Sequence, residues 1–337
     1  MAARGVDVTV LTTDLTGRLP TSEKREGFEI RRFPAYPRSA DLRISPALSR
    51  EVSSGSYDVV HVQGIHTFVP PLALKAARRA GRPSIVTFHT GGHSSRLRTV
   101  GRQAQWRALG PSLRRASALV AVSAYEAELF ARILKVPPAR IRVIRNGAQA
   151  LPVGGAEPEV SGSPLICSVG RLERYKGHNR VIAAMPALLA VRPGAHLVVI
   201  GRGSYEPQLR RLVARLGVEA AVTFTAFDAA DRPELGALLQ SCDVVALLSD
   251  YEAHPVAVVE ALALGRKVVV AATSGLTELA HEGLVTAVAP DARPEVVAEV
   301  LARVAAEPEA TAPRLPSWDE CVDDLLRLYE DLRVRRS

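Results

Sequence analysis

Two glutamates stand eight positions apart in the segment from Ser249 to Gly265, which follows the apolar run DVVALLS. Pro255 is typical of a helix start and Gly265 of a helix end, so Glu252 belongs to a loop and Glu260 to the following helix. A helix N-terminus offers unpaired amides to an anion such as a diphosphate, and carboxylates accept hydrogen bonds from hydroxyls. The segment thus indicates a ligand with phosphates and hydroxyls. The alternative is a first-turn charge at Glu252 that complements the helix dipole and a solvated Glu260.

A second segment whose residues could take part in a reaction is basic. It runs from Gly170 to His178, directly after the apolar run LICSVG. It places the guanidinium of Arg171 and the ammonium of Lys176 at the carboxyl end of a strand, before a helix predicted to begin near Asn179. Cations at this position could neutralise a diphosphate leaving group without a metal ion. The alternative is an ordinary solvated basic loop.

Four histidines in the first half of the chain, at His61, His66, His89 and His93, raise the question of a metal site. They lie on separate segments, with no close helical pair and no cysteine partner, which disfavours metal binding. His89 is interpreted as a residue that lines a ligand cleft, and a buried structural histidine is the alternative.

The run Gly201-Arg202-Gly203 after HLVVIG invites a comparison with dinucleotide-binding loops. Glu206 stands where the third glycine of such a loop belongs, so the motif is incomplete. A structural turn is therefore favoured over a redox site.

The elements that must position these residues alternate between short Val/Ile-rich runs and Ala/Leu/Arg stretches of helical period. The candidate strands are VDVTVLTT, YDVVHVQG, SIVTFHT, ALVAVS, IRVIRNG, LICSVGR, AHLVVIG, AVTFTAF, DVVALLS, KVVVA and TAVAP. This alternation predicts an α/β fold with two doubly wound, Rossmann-like domains. In such sheets ligands bind beyond the carboxyl ends of the strands, so two facing domains would form a cleft.

A Pro/Gly-rich stretch over residues 149–163 divides the chain. We expect an N-terminal domain over residues 1–150 and a C-terminal domain over residues 163–315. We further expect a terminal helix over residues 316–337 that packs back toward the N-terminal domain.

The composition restricts the class of protein. The 43 Lys and Arg exceed the 35 Asp and Glu by 8, which favours anionic partners such as nucleotides, phosphates or an acidic membrane surface. Only 5% of the residues are aromatic and no zinc or RNA-binding motif is visible, so nucleic acid is disfavoured. There is no signal-peptide pattern and no apolar run of about 18 residues. The three scattered cysteines are read as buried thiols in a reducing cytoplasm.

Taken together, these segments resemble the retaining glycosyltransferases of the GT-B fold, specifically glycosyltransferase family 4. The family motif of two glutamates separated by seven residues is matched by Glu252 and Glu260, and its Gly-Arg…Lys-Gly loop by Gly170, Arg171, Lys176 and Gly177. The resemblance extends from about Val6 to the C-terminus, and it implies that the domain over residues 1–150 is the acceptor side and that the domain over residues 163–315 binds the nucleotide sugar. It implies a hexosyltransferase that uses a UDP- or GDP-linked sugar, retains the anomeric configuration and needs no metal cofactor.

The resemblance also implies a role for each matching residue. Arg171 and Lys176 would hold the donor diphosphate, Glu260 would accept the ribose hydroxyls, and Glu252 would contact the transferred sugar. The main chain at His254, Pro255 and Val256 would approach the donor sugar and phosphate, with Gly170 in the adjoining loop, and His89 would lie beside the anomeric carbon. The acceptor hydroxyl would attack the face from which the diphosphate leaves, and the phosphate itself would take the proton. No protein nucleophile is then required.

The chain departs from the family pattern at its start. Members begin with a strand, a Gly-Gly loop and a long helix, whereas here only the last turn of that helix is expected, over Met1 to Gly5. The missing strand would be central in an order such as 3-2-1-4-5. The favoured explanation is a start codon assigned too far downstream; the others are a real truncation and a strand supplied by another chain.

Two further departures concern sugar placement. The turn Thr273 to Glu278 keeps one of two family glycines, and His254 stands where members often have Phe.

The acceptor is unidentified, with a lipid-linked or natural-product hydroxyl as the candidates. The basic segment from Gly91 to Arg115 could rest on an anionic membrane, which would place the protein at the inner face. A solvated basic helix is favoured, because Gly101 and Gly110-Pro111 interrupt the segment.

Three functions follow from these features. The first is sugar transfer from a nucleotide-diphosphate sugar. The alternative is a catalytically impaired nucleotide-sugar-binding or partner module that lacks the Gly-rich loop. A third, less favoured, is another GT-B activity such as an epimerase or a phosphorylase.

Overall fold

The computed structural model describes residues 1–37, 43–90, 96–155 and 159–334, with side chains described except at residues 96–103. These residues form two compact units. The first contains the described parts of Met1–Thr90, Val100–Ile144 and Asp319–Ser337, and the second those of Gly91–Thr99 and Arg145–Trp318.

Strands and helices alternate along most of the described chain. The strands are β1 (Thr9–Asp14), β2 (Ser22–Arg25), β3 (Phe28–Pro34), β4 (Val60–Gln63), β5 (Ser84–Thr87), β6 (Ala118–Ala121), β7 (Ile141–Val143), β8 (Leu165–Val169), β9 (His196–Ile200), β10 (Val222–Thr225), β11 (Val244–Leu247), β12 (Lys267–Ala271) and β13 (Thr286–Val288). The helices are α1 (Pro46–Ser54), α2 (Val69–Arg79), α3 (Arg96–Leu113), α4 (Ala124–Leu134), α5 (His178–Val191), α6 (Glu206–Leu216), α7 (Arg232–Ser241), α8 (Val256–Ala263), α9 (Ser274–His281), α10 (Pro294–Ala306) and α11 (Trp318–Val334).

The second unit has the strand order of a doubly wound fold. Its six parallel strands are ordered β10-β9-β8-β11-β12-β13, so the order reverses between β8 and β11. Successive residues of each strand enter opposite cores: Ile166 and Val244 pack in one apolar cluster, Cys167 and Val245 in the other. This topology confirms the predicted α/β, Rossmann-like architecture.

The first unit contains two separate sheets. One has the order β1-β3-β2 and the other the order β4-β5-β6-β7. Among the described residues β1 pairs only with β3 and β4 only with β5, so each of these two strands has one side without a ladder.

A buried aromatic stack forms the centre of the first unit. The rings of Phe88 and Phe130 lie 3.8 Å apart and nearly parallel, and Trp106 packs against Phe130 at 5.1 Å. On the other face of β5 and β6, Leu328 of α11 packs in a cluster with Val120. The C-terminal helix therefore belongs to the core of the first unit.

The chain start and the interdomain stretch can be compared with expectation. Ala2–Arg4 form a 3₁₀ turn closed by Gly5 in a left-handed conformation (φ 78°), which agrees with the predicted helix end. The predicted linker over residues 149–163 lies between β7 and β8, and residues 156–158 of it are outside the described residues.

The sequence patterns do not predict β2 and β3. These strands carry charged side chains that pair with one another and with α1: Arg31 contacts Glu29 and Glu51, and Arg32 contacts Glu23. Ion pairs replace the apolar alternation by which a strand is normally recognised in a sequence.

Candidate functional site

The basic loop after β8 is held in place by close backbone approaches. The amide of Gly170 donates to Ile200, and a Cβ on Gly201 (φ 144°) would lie 2.0 Å from the Gly170 carbonyl oxygen. The loop ends in a 3₁₀ turn, Arg174–Lys176, followed by Gly177 at φ 74°. These approaches leave no room for a side chain at Gly201 or at Gly177, where a Cβ would lie 1.9 Å from the Leu248 carbonyl oxygen, so the loop is fixed where β8 ends.

Lys176 and Glu252 form a partly buried ion pair. The Lys176 Nζ lies 2.6 Å from Glu252 Oε1, with side chains 16% and 11% exposed. The Ser249 hydroxyl donates to the same carboxylate oxygen at 2.8 Å, and the Glu252 amide donates to Ser274 Oγ at 2.7 Å. Since β8 and β11 are neighbours in the sheet, the loops that follow them bring together the two segments singled out in the sequence.

The remaining predicted donor-site residues flank this pair. Arg171 Nη2 donates to the hydroxyl of Tyr175 at 2.6 Å. Lys176 Cδ lies 3.7 Å from the position that a Cβ on Gly170 would take. Glu260, on the second turn of α8, pairs at 2.7 Å with Arg232, which is half exposed. Within the described residues Glu260 is therefore joined to Arg232 rather than to Lys176.

The start of α8 lies between the two glutamates. Pro255 caps the helix in an extended conformation, and Val256 is its first residue with 45% of its surface exposed. His254 is half-buried just before the cap. The first amides of α8 have no acceptor within the helix, which makes this end a candidate anion site beside Glu252.

His178 is a structural member of the site that sequence reasoning missed. It is 1% exposed; its Nδ1 accepts from the Ser168 hydroxyl at 2.8 Å and its Nε2 donates to the Arg171 carbonyl at 3.2 Å. Burial lowers the pKa of His178 to about 4, so the imidazole is neutral at physiological pH. The residue ties the basic loop to β8. A histidine that directly follows Lys-Gly was a visible signal, but its partners depend on the fold.

In the first unit, His89 follows β5 in a left-handed conformation with φ 44°. Its Nε2 lies 2.7 Å from Gln63 Oε1, and its carbonyl oxygen lies 3.2 Å from His66 Nε2. Part of the residue is exposed. Partial burial of the imidazole nevertheless lowers the pKa of His89, and the neighbouring His66 lowers it further. The structure thus places His89 shortly after the carboxyl end of β5, and its contact with a ligand stays a prediction.

A buried carboxylate, Glu126, anchors the residue after His89. Its Oε1 accepts from the Thr90 amide at 2.8 Å and from the Thr90 hydroxyl at 2.6 Å, and its Oε2 accepts from the Val122 amide at 2.9 Å. Burial raises the pKa of Glu126, and these hydrogen bonds partly offset that effect. Helical spacing alone assigns this residue to a first-turn charge, which is why the sequence did not reveal it.

Replacing Glu126 by Gln is expected to lower the free energy of unfolding by about 1–3 kcal/mol, because the amide NH₂ must face one of the buried donors. Urea denaturation followed by tryptophan fluorescence measures the change. Glu128→Gln is the matched control, since Glu128 is exposed on the same helix. A midpoint for Glu126→Gln equal to that of the control would contradict the anchoring role.

The structure bears on the metal and membrane hypotheses as follows. Over the described ranges, no group of three or more His, Cys, Asp and Glu side chains could hold a metal ion. His93 lies outside the described residues, as does the first part of the basic segment after Gly91. None of the described helices is long and apolar enough to cross a bilayer.

Comparison with known families gives matches over both halves of the chain. A family described as Glycosyl transferases group 1 matches residues 155–314, and a Glycosyl transferase 4-like domain matches residues 1–147. A D-inositol 3-phosphate glycosyltransferase of Jonesia denitrificans is 29% identical over an alignment that covers 100% of this chain and 89% of the relative.

Solved structures of similar fold agree with these matches. A sucrose-phosphate synthase from Thermosynechococcus elongatus has a TM-score of 0.75 at 21% identity, covering 99% of this chain and 91% of that structure. The Anabaena protein HepE in complex with UDP-glucose has a TM-score of 0.68 at 19% identity, covering 96% of this chain and 99% of that structure.

Proposed function

Because the chain belongs to the GT-B glycosyltransferases of family 4, we propose that it transfers a sugar, with retention, from a UDP- or GDP-linked donor to an acceptor hydroxyl. The observation that carries the proposal is the partly buried pair of Lys176 and Glu252 beside the start of α8, at the carboxyl ends of β8 and β11. The complex of the Anabaena neighbour with UDP-glucose supports a nucleotide-sugar donor.

The donor phosphates are assigned to the basic loop and the start of α8. Lys176 and Arg171 supply two positive charges, and the amides that follow Pro255 supply hydrogen-bond donors. A diphosphate that leaves the sugar accumulates negative charge, and fixed donors stabilise that charge without rearrangement. Since side chains already provide the cations, we propose that no metal cofactor takes part.

The hydroxyl groups of the donor are assigned to the carboxylates. Glu260, which keeps one oxygen for Arg232, is proposed to accept the ribose hydroxyls, and Glu252 to contact the transferred sugar. His89 is proposed to approach the reacting carbon. The acceptor attacks the face from which the diphosphate departs, and its proton passes to the leaving phosphate. The anomeric configuration is then retained.

The acceptor is proposed to be a lipid-linked or natural-product hydroxyl. The excess of 8 positive charges supports contact with anionic partners, including the surface of a membrane. The proposed compartment is the cytoplasm, because Cys167, Cys242 and Cys321 are buried free thiols.

Donor hydrolysis tests the proposed reaction with water as acceptor. UDP-glucose, UDP-N-acetylglucosamine and GDP-mannose are incubated with the protein in EDTA, and the anomeric proton of the released sugar is followed by ¹H NMR before mutarotation. We expect one donor to be cleaved with retained configuration. An inverted product would contradict retention, and donor binding without turnover in any acceptor extract would favour the binding-module alternative.

A further inference from the structure

A chain of side-chain hydrogen bonds runs from α11 to His89 within the first unit. The Tyr329 hydroxyl lies 2.6 Å from His61 Nδ1, and His61 Nε2 lies 2.7 Å from Thr87 Oγ1 and 3.3 Å from the Gln63 amide nitrogen. The other end of that amide, Oε1, lies 2.7 Å from His89 Nε2. The roles proposed above use neither Gln63 nor Tyr329.

The first half of this chain fixes where His61 carries its proton. The amide nitrogen of Gln63 can only donate, so Nε2 of His61 accepts from it. Burial lowers the pKa of His61 to about 4, which keeps the ring neutral with a single N–H. That N–H is then Nδ1–H, and it donates to the Tyr329 oxygen.

The second half fixes the proton of His89 in the same way. The oxygen of the Gln63 amide can only accept, so Nε2 of His89 carries the proton and donates to it. In a neutral ring Nδ1 then keeps a lone pair. Within the part of the chain that the structure describes, Nδ1 of His89 makes no hydrogen bond.

Hydrogen bonds hold the backbone at His89 and at the residue that follows it. The carbonyl of His89 accepts from His66, and the amide and hydroxyl of the next residue, Thr90, donate to the buried Glu126. These contacts hold the left-handed conformation, which is unfavourable for a non-glycine residue. The ring itself has Gln63 as its hydrogen-bond partner, so the orientation of the Gln63 amide decides the tautomer.

We infer that Gln63 is a positioning residue that holds His89 as the Nε2–H tautomer, so that Nδ1 accepts a hydrogen bond from a sugar hydroxyl. The choice of a hydroxyl as ligand rests on the proposed function, whereas the tautomer is a property of the chain alone. The opposite orientation of the Gln63 amide would move the proton to the other ring nitrogen in both His61 and His89. His89 would then present Nδ1–H, a donor suited to a phosphate oxygen.

Imidazole NMR tests the tautomer without any substrate. With ¹⁵N-histidine labelling, and His89→Asn to assign the signals, we expect His89 of the wild type to show the Nε2–H tautomer. Gln63→Ala should give a mixture of tautomers, and Gln63→Glu should raise the pKa of His89 by placing a carboxylate beside it. Described titratable groups near His89 are His61 on β4 and His66 after it, with Glu126 bound to the next residue.

Gln208→Ala is the control for these variants, because Gln208 is exposed on α6 in the second unit. Its His89 signals should equal those of the wild type. An Nδ1–H tautomer in the wild type, or unchanged His89 signals in Gln63→Ala, would overturn the assignment to Gln63. Saturating UDP-glucose or GDP-mannose should shift the Nδ1 resonance. Saturation that leaves this resonance unchanged would overturn the hydroxyl contact.

Kinetics separate positioning from a merely structural role. For hydrolysis of UDP-glucose or GDP-mannose, Gln63→Ala should lower kcat about tenfold, the loss of one hydrogen bond in the transition state, with KM within about twofold. Tyr329→Phe should have a smaller effect on kcat, and Tyr36→Phe, at an exposed tyrosine, none. Unchanged kcat in Gln63→Ala would overturn the positioning role. A wild type that hydrolyses neither donor would instead count against the proposed function, and the NMR result would still decide the tautomer.

Discussion

Replacing Lys176 by Ala is expected to lower the affinity for UDP and GDP by about ten- to a hundredfold. Charge-assisted hydrogen bonds to phosphate contribute roughly 1.5–3 kcal/mol, and each 1.4 kcal/mol is a factor of about ten. The substitution also leaves the carboxylate of Glu252 buried with the Ser249 hydroxyl but without its cation. Calorimetric titration with each nucleotide measures the effect, and Lys24→Ala, at an exposed lysine on β2, is the control.

Comparing the binding of UDP with that of pyrophosphate separates the role of the Lys176 cation from that of the Glu260 carboxylate. Lys176→Ala should weaken the binding of both UDP and pyrophosphate, because both carry the diphosphate. Glu260→Ala should weaken UDP but leave pyrophosphate within about twofold of the wild type, because pyrophosphate has no ribose. Unchanged UDP affinity in both variants would remove the assignment of these residues to the donor site.

Replacing Gly177 by Ala is expected to disrupt the basic loop after β8 more severely than any substitution of an exposed glycine. A Cβ at this position would lie 1.9 Å from the Leu248 carbonyl oxygen, and φ is 74°. The loop must move away from the end of β11, which carries Lys176 away from Glu252. The clash adds to the cost of about 1–2 kcal/mol for a left-handed non-glycine residue.

Gly217→Ala isolates the cost of a left-handed backbone without a clash. Gly217 has φ 65°, and nothing lies within 4 Å of the position that a Cβ on it would take. We expect its thermal midpoint to fall slightly and its UDP affinity to remain that of the wild type. Gly177→Ala should show a larger fall in the midpoint and at least about tenfold weaker UDP binding, the loss of one ordinary hydrogen bond to phosphate or more. Equal behaviour of the two variants would show that the approach to Leu248 does not hold the loop.

The strands of the second unit agree closely with those predicted from the sequence, because they are buried on both faces. Runs such as Val244–Leu247 consist of apolar residues, and the short loops after them fall at one edge of the sheet. Neighbouring strands β8 and β11 therefore brought the Lys176 and Glu252 segments together, as the motifs predict. The sequence could not show that Lys176 contacts Glu252 while Glu260 contacts Arg232, since these choices depend on side-chain packing between loops.

The first unit was less predictable for a physical reason. Strands β2 and β3 are stabilised by ion pairs, and the polar relay to His89 joins residues far apart in the chain, such as His61 and Tyr329. Buried polar groups require partners, but those partners come from other elements and leave no local pattern. Glu126 and His178 are buried and were missed for this reason, whereas Gln63 is exposed and was missed because its partner His89 follows a different strand.

The most direct test of the account is a calorimetric titration of the wild-type chain with UDP and GDP in EDTA. The account predicts saturable 1:1 binding of at least one nucleotide without a divalent metal ion, and its loss in the Lys176→Ala variant. Heat-silent titrations with both nucleotides, confirmed by an unchanged thermal midpoint at millimolar ligand, would contradict the claim that this site holds a nucleoside diphosphate.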